Sequence, residues 1–259
     1  MIIRTLTDEL LSRARSIHEK TVDTFKIGDP QRDVTHVGVC FMATAEVVRE
    51  AAERGVEFLI THEPVYYDHL DRYREDQPLV RRKKELLEAS GLTIWRYHDH
   101  IHDMPVDGIE SGMMETLGWK GQMTDRCFWK LERPMTARQM AYDIKTKLGC
   151  GGVRICGQTD MPFTMLRIAE GDPGADTGFM DRLFAMNYEG IVFFGEACEW
   201  GALEQFRDAK AFGMNVAAVV CGHAASEEAA MERLAEDIAE KHPELTVDFI
   251  PTGEVYEHI

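Results

Sequence analysis

Short apolar runs alternate, along the first half of the chain, with longer segments whose apolar residues recur every three to four positions. The runs predict strands at 34–41, at 56–61 and from residue 92 onwards. The segments at 44–55 and 77–91 have helical periodicity, and a glycine ends each of them. Strands that alternate with helices are typical of parallel sheets covered by helices.

The same alternation returns after a less regular middle segment. This middle segment contains predicted strands at 125–132 and 163–171 and a predicted helix at 136–148. Beyond residue 177, predicted strands lie at 190–195, 214–222 and 245–250, with helical segments between them. The pattern therefore predicts an α/β protein of two lobes of comparable size, residues 1–125 and residues 126–259.

Composition narrows the class of protein. The chain has 259 residues, 44% of them hydrophobic and 29% charged, which is typical of a water-soluble globular protein. The net charge of −16 argues against nucleic acid or an anionic membrane as the main partner. The N-terminal residues lack the apolar stretch of a signal peptide, and the six cysteines have no C-x-x-C spacing. We therefore expect free thiols, a cytoplasmic location and a small-molecule substrate.

Polar side chains collect at the carboxyl ends of the predicted strands, where ligands bind in α/β sheets. The residues in question are His62 and Glu63, then His98, Asp99, His100, His102 and Asp103, then Glu196, and finally His223 and Glu227. Any one of these histidines is more simply explained as a hydrogen-bonded or solvated residue. Four strand ends with the same chemistry, however, predict a metal site of imidazole and carboxylate ligands.

The first of these strand ends contains His-Glu-Pro, which is not a zincin motif. The H-E-x-x-H motif requires a second histidine in a helix, but Tyr66 is at that position and Pro64 would interrupt the helix. The sequence also lacks a phosphate-binding P-loop, a G-x-G-x-x-G fingerprint and a G-x-S-x-G nucleophile motif. Metal chemistry is therefore the best-supported prediction.

His223 and Glu227 form the clearest pair, because a spacing of four places both on one face of a helix. Asp103 is the predicted bridging carboxylate of a two-metal site, in which ions lie ~3.5–4 Å apart. His98, His100 and His102 alternate, and the sequence leaves open which of them faces the site. Zinc, iron, manganese and nickel all accept such ligands, and about two ions per chain are expected.

These strand ends resemble the motifs of the NIF-three-like family, the GTP cyclohydrolase type 2 homologues. Leu59 through Pro64 resemble the family's strand that ends in His-His, with Glu63 at the second histidine. Asp99 through Asp103 resemble its H-T-N-L-D motif, and Gly222 through Glu227 resemble its G-H-x-x-x-E motif. The resemblance runs from about residue 20 to the C-terminus. The family's first-strand Asp falls on Met42.

The resemblance implies two similar, interlocked α/β lobes with the metal site in the cleft between them, and a hexamer built as a trimer of dimers. It implies metal ligation by His62, Glu63, Asp103, His223 and Glu227. The leading hypothesis is a dinuclear metal-dependent hydrolase, related to GTP cyclohydrolase type 2, in which His100 or Glu196 transfers protons. The alternative hypothesis is a metal-handling or ring-forming scaffold protein without catalytic activity.

Overall fold

A computed structural model describes the backbone of all 259 residues and every side chain except that of Thr177. The chain divides into two compact units. Unit 1 consists of Met1–Ile109 and Ala230–Thr252, and unit 2 consists of Glu110–Ala229 and Gly253–Ile259.

The elements of the first part of the chain are α1 (Ile3–Leu11), β1 (Phe25–Ile27), β2 (His36–Cys40), α2 (Ala45–Glu53), β3 (Phe58–Thr61), α3 (Pro78–Ser90), β4 (Thr93–Arg96) and the single turn α4 (Asp99–His102). Next come α5 (Gly108–Leu117), β5 (Gly121–Asp125), β6 (Phe128–Met135), α6 (Ala137–Lys147), β7 (Arg154–Gly157), β8 (Phe163–Ala169), α7 (Thr177–Ala185) and β9 (Gly190–Phe194). A π-helical turn (Glu199–Leu203), α8 (Glu204–Ala211), β10 (Val216–Val220), α9 (His223–Lys241) and β11 (Thr246–Phe249) complete the chain.

The sheet of unit 1 has the strand order β1-β4-β3-β2-β11. Strands β4, β3, β2 and β11 are parallel, and β1 is antiparallel to β4. Thr61 pairs with Arg96, so β3 and β4 end side by side at the same edge. Buried apolar residues cover both faces of this sheet, because parallel strands are enclosed by helices.

The sheet of unit 2 has the strand order β5-β6-β8-β9-β10-β7. Its centre, β8-β9-β10, is parallel, while β5, β6 and β7 are antiparallel to their neighbours. Phe194 pairs with Val220, so β9 and β10 also end side by side. Apolar residues are buried on both faces here as well.

The predicted α/β fold with two sheets is therefore confirmed, while the observed division of the chain differs from the predicted boundary at residues 125 and 126. Ala230–Thr252 belong to unit 1 because this segment contains β11, which pairs with β2 and places Val247 opposite Val37. Such a long-range strand pairing leaves no local signal in the sequence. In the described part of the chain, no helix is long and apolar enough to cross a membrane. The predicted cleft stays a prediction.

Candidate metal centre

The edge of the unit 1 sheet brings His62 and His98 together. His62 directly follows the end of β3, and His98 follows β4 after Tyr97, whose N–H still donates to the carbonyl of Thr61 at 2.9 Å. The two imidazole rings stack, with centroids 4.7 Å apart and planes inclined by 21°. Two residues 36 positions apart in sequence are neighbours here because their strands are parallel and in register.

The short turn α4 adds His102 to this pair. His98 lies directly before α4 and His102 ends it, so the two histidines are one turn apart on the same side. Their ring centroids are 5.0 Å apart, and that of His102 is 5.2 Å from that of His62. One nitrogen from each ring lies within 4.8 Å of the other two, which is close enough for all three to bind one ion.

Asp23 starts the turn that carries these histidines. One of its carboxylate oxygens accepts the backbone N–H groups of His98 and Asp99, at 2.7 and 2.9 Å. The other oxygen accepts the N–H of His100 at 2.9 Å. A carboxylate in this position satisfies N–H groups that have no partner within a helix and complements the helix dipole. The direction of His98 and His102 is therefore fixed by a residue far away in sequence.

Each of the three imidazoles has an oxygen acceptor at Nδ1. The pairs are His62 with the carbonyl of Tyr97 at 3.0 Å, His98 with Asp99 at 3.0 Å, and His102 with Asp107 at 2.8 Å. Because a carbonyl oxygen can only accept, Nδ1 of His62 carries the proton and Nε2 keeps its lone pair. Acceptors of this kind behind a histidine are typical of metal ligands, since they fix the tautomer and the ring orientation.

Electrostatics favour the neutral, ligand-ready form of His98. Burial lowers the pKa of His98 to about 4, the bond to Asp99 works against this shift, and the nearby His62 and His102 add to it. The pKa of Asp99 lies below its usual value, because hydrogen bonds from His98 and from the N–H of Val22 outweigh the effect of burial. At neutral pH the cluster therefore holds a carboxylate beside an uncharged imidazole.

Glu63 places a carboxylate beside two of these histidines. Its side chain is buried, and Oε1 lies 4.0 Å from Nε2 of His62 and 3.8 Å from Nε2 of His98. The other oxygen, Oε2, lies 3.6 Å from the guanidinium of Arg96. Unit 1 thus offers three imidazole nitrogens and one carboxylate within its own structure. This donor set fits a divalent transition metal.

The corresponding edge of unit 2 holds the predicted pair His223 and Glu227. Helix α9 begins at His223, so the predicted spacing is present on one helix face, with Nε2 of His223 3.5 Å from Glu227 Oε2. Nδ1 of His223 bonds Glu196 at 2.8 Å. Gly171 lies against the pair: a Cβ at this position would be 2.8 Å from Glu227 Oε1. These contacts give unit 2 an imidazole and two carboxylates in a row.

Asp103, the predicted bridging ligand, lies with a different group of residues in unit 1. Its carboxylate bonds Arg15 at 2.8 Å and the hydroxyl of Ser16 at 3.0 Å, and it lies 3.2 Å from Nε2 of His18. It does not belong to the group of His62, His98 and His102. Its role as a metal ligand stays a prediction, and the contacts seen here are those of a residue that anchors the segment at Arg15 and Ser16.

His100, the predicted proton carrier, is buried with both ring nitrogens bonded inside the chain. Nδ1 bonds Asp23 at 2.6 Å, and Nε2 accepts the N–H of His18 at 3.1 Å. It therefore faces away from the neighbouring histidines on α4. These contacts support the turn that places His98 and His102, and the role of His100 as a proton carrier stays a prediction.

Sequence reasoning did not single out Asp107 or His69, and it did not assign His98 and His102 as metal ligands. The i,i+4 spacing of His98 and His102 was a signal that had not been read, since the segment was predicted as a strand and folds as a turn. Asp99 and Asp107 act behind these histidines. His69 is exposed, and its ring centroid is 5.2 Å from that of His98. No periodic pattern marks His69, because it lies in a loop.

The combination of fold and strand-end residues agrees with the family that matches the sequence. The chain belongs to the family Duf34/NIF3 (NGG1p interacting factor 3), whose model matches residues 25–254. This confirms the resemblance stated from the strand-end motifs.

Individual relatives are distant. A Clostridium perfringens protein named "GTP cyclohydrolase 1 type 2 homolog" is 24% identical over 248 residues, which cover 88% of this chain and 86% of the relative. A Bacillus cereus protein related to NIF3 has a similar structure, with a TM-score of 0.74 at 13% identity over 100% of this chain and 99% of the other. A hypothetical protein of Staphylococcus aureus gives 0.72 at 19% identity, over 99% and 97%. These structural likenesses establish the fold.

Proposed function

We propose that the chain is a metal-dependent hydrolase whose principal metal is held in unit 1 by His62, His98 and His102, with Glu63 as the carboxylate. The observation that carries the proposal is that the three imidazoles converge, with one nitrogen of each within 4.8 Å of the others, while an oxygen acceptor lies at Nδ1 of each ring.

The proposal extends to a second ion, for which unit 2 supplies His223 and Glu227. Their one-turn spacing supports this role, and so does the bond that Glu196 accepts at Nδ1 of His223. Glu196 is more than half exposed, so it can also exchange protons with solvent and remains the proposed proton carrier. The total of two ions per chain follows from these two donor sets.

A divalent ion in such a site lowers the pKa of a bound water toward ~7 and polarises a carbonyl or phosphoryl oxygen. The residues of this chain orient the imidazoles, keep His98 neutral through its burial, and limit the access of bulk water, since His62 and Glu63 are buried. Zinc, iron, manganese and nickel all accept three imidazoles with one carboxylate.

The proposed substrate is a nucleotide or a related small molecule with a hydrolysable ring or ester. The support is the name of the Clostridium perfringens relative, "GTP cyclohydrolase 1 type 2 homolog", at 24% identity. The net charge of −16 suits a small-molecule substrate better than nucleic acid. A cytoplasmic location and a homo-hexameric assembly belong to the same proposal.

The first experiment is elemental mass spectrometry of the protein, purified without chelators or a metal-affinity tag. About two equivalents of a transition metal, falling to about one in His98→Ala, would support the proposal. Hydrolysis of nucleotide, phosphate and amide substrates is then assayed with that metal, using His98→Ala as the inactive control. Protein that remains free of metal after reconstitution would refute the proposal.

A second candidate function is metal handling without catalysis, and the position of His69 favours it. An exposed imidazole, with its centroid 5.2 Å from that of the partly buried His98 ring, would be the first contact for an ion that enters or leaves. Transfer of the ion to a competing chelator, slowed in His69→Ala without any change in affinity, would support this candidate. Metal-dependent turnover that survives His69→Ala would favour the hydrolase.

A further inference from the structure

The guanidinium of Arg96 is completely buried behind the unit 1 centre. Its Nε donates to the carbonyl of His62 at 2.9 Å, and Nη1 donates to the carbonyl of His69 at 2.5 Å. A buried charge costs several kcal/mol unless it is paired and hydrogen-bonded, so each donor of this group needs a partner. Arg96 therefore ties together the backbone on both sides of the segment that follows β3.

The remaining donor, Nη2, is directed toward Glu63. Among the described residues it has no hydrogen-bond partner within the usual limits, and Glu63 Oε2 lies 3.6 Å away, at ion-pair distance. The other carboxylate near Arg96 is Asp71, 3.5 Å from Nη1. Asp71 already pairs with Lys26, however, at 2.8 Å. Nη1 of Arg96 also donates to Asp71 at 3.5 Å, so Lys26 and Arg96 share Asp71, and Glu63 is the carboxylate that lies beside Nη2.

The two oxygens of Glu63 are thereby given different roles. Oε2 faces Arg96, while Oε1 faces Nε2 of His62 and Nε2 of His98. A carboxylate without such a neighbour can bind an ion through both oxygens, whereas an ion pair between one oxygen and a guanidinium favours binding through the other oxygen.

We propose that Arg96 is a positioning residue that makes Glu63 bind the metal through Oε1 alone. The inference rests on the proposed metal centre and adds a residue that determines which metal ion the centre prefers. One carboxylate oxygen with three imidazole nitrogens is a small donor set, which suits zinc or iron. Manganese and magnesium favour more oxygen ligands, and a Glu63 released from Arg96 would supply one.

The test is a double-mutant cycle in the full chain, with Zn²⁺ and Mn²⁺ as the probes. Affinities are measured by competition with a chromogenic chelator for the wild type, Arg96→Met, Glu63→Gln and the double variant. We expect Arg96→Met to lower the preference for zinc over manganese by about 10-fold or more. Substitution of a residue that orients a metal ligand usually changes metal affinity by this much. The double variant should have the zinc affinity of Glu63→Gln alone, because Arg96 acts through Glu63.

Three further variants separate positioning from folding. Arg96→Lys keeps the charge and should retain most of the preference, and Arg96→Gln, which removes the charge, replaces Arg96→Met if that variant fails to fold. Asp71→Asn removes the other carboxylate near Arg96 and should leave the preference unchanged, although thermal unfolding reports any loss of stability. A merely structural role would lower the stability of the variants and affect both metals equally.

The outcomes distinguish this inference from the proposed function. Wild-type protein that binds neither ion would overturn both. Wild-type protein that binds zinc, with additive effects of Arg96→Met and Glu63→Gln, would overturn the role of Arg96 and leave the metal centre in place. An unchanged zinc-to-manganese ratio in a folded Arg96→Met or Arg96→Gln would do the same.

Discussion

His98 and His102 lie one turn apart at the two ends of α4, with ring centroids separated by 5.0 Å and an aspartate at Nδ1 of each ring. This relationship gives unit 1 a donor pair of the kind that His223 and Glu227 give unit 2. Both pairs use the i,i+4 spacing, and both follow directly on a parallel strand or its extension. Each metal site built this way depends on the short-range spacing within its pair and on the register of the strands of its own unit.

His98→Ala and His102→Ala should each reduce metal affinity by at least about 10-fold, because each removes a nitrogen from a small donor set. The measurement is isothermal titration of the metal-free protein with Zn²⁺. His36→Ala is the matched control, since His36 belongs to the same unit but starts β2 and pairs with Asp248 at 3.1 Å. Equal losses in all three variants would indicate a general effect on folding.

A comparison of Asp107→Asn with Asp103→Asn tests which of the two aspartates contributes to metal affinity. Asp107 accepts from Nδ1 of His102 at 2.8 Å, so Asp107→Asn should lower metal affinity by about 10-fold to 100-fold. Asp103→Asn should leave the affinity unchanged and cost about 1 kcal/mol of stability, through the lost pairing with Arg15. The reverse result, with metal lost only in Asp103→Asn, would restore Asp103 as the ligand predicted from the sequence.

Much of this architecture could be predicted from the sequence, because its signals are local. The alternation of strand and helix periodicity predicted the α/β fold. Apolar strands that end in His or Glu predicted that the site lies at the carboxyl-terminal edge of the sheet. The i,i+4 spacing gave His223 and Glu227, which α9 indeed places on one face.

The remainder depends on contacts that sequence spacing does not encode. The sequence pattern around His98, His100 and His102 predicted a strand, and in a strand all three side chains would share one face. Asp23, 75 residues earlier than His98, instead starts a turn there, and a turn directs His100 away from the other two. In the same way, the sequence marks Arg96 only as a residue of a predicted strand. Its position beside the buried carboxylate of Glu63 is evident only from the structure.

Gly171→Ala tests the unit 2 pair. The added Cβ would lie 2.8 Å from Glu227 Oε1 and 3.2 Å from His223 Nε2, at a backbone φ of +66°. We expect a loss of about 1–2 kcal/mol in stability, measured by urea unfolding, and a fall from about two bound ions to about one. Gly149→Ala is the control, because its φ is +69° and no atom lies within 4 Å of the added Cβ. The proposed second ion is contradicted if both variants keep the wild-type metal content.

The last prediction concerns Lys83 and its effect on the pH dependence of the protein's stability. Its side chain is 3% exposed, and its ammonium lies 4.7 Å from the centre of the Tyr67 ring. Burial lowers the pKa of Lys83 to about 8, and the nearby Asp71 only partly offsets this. In the unfolded chain the pKa is about 10.4. Between these two values the unfolded state holds a proton that the folded state has lost, so this group adds stability as the pH rises.

Lys83→Met should therefore be more stable than the wild type at pH 7, and the difference should shrink by up to about 3 kcal/mol as the pH rises from 8 to about 10.5. The measurement is urea unfolding of both proteins at pH 7, 8.5 and 10. Comparing the two proteins at each pH cancels the titration of the cysteines and tyrosines, which they share. A difference that does not change with pH would show that Lys83 stays charged in the folded chain, held by Asp71 and the face of Tyr67.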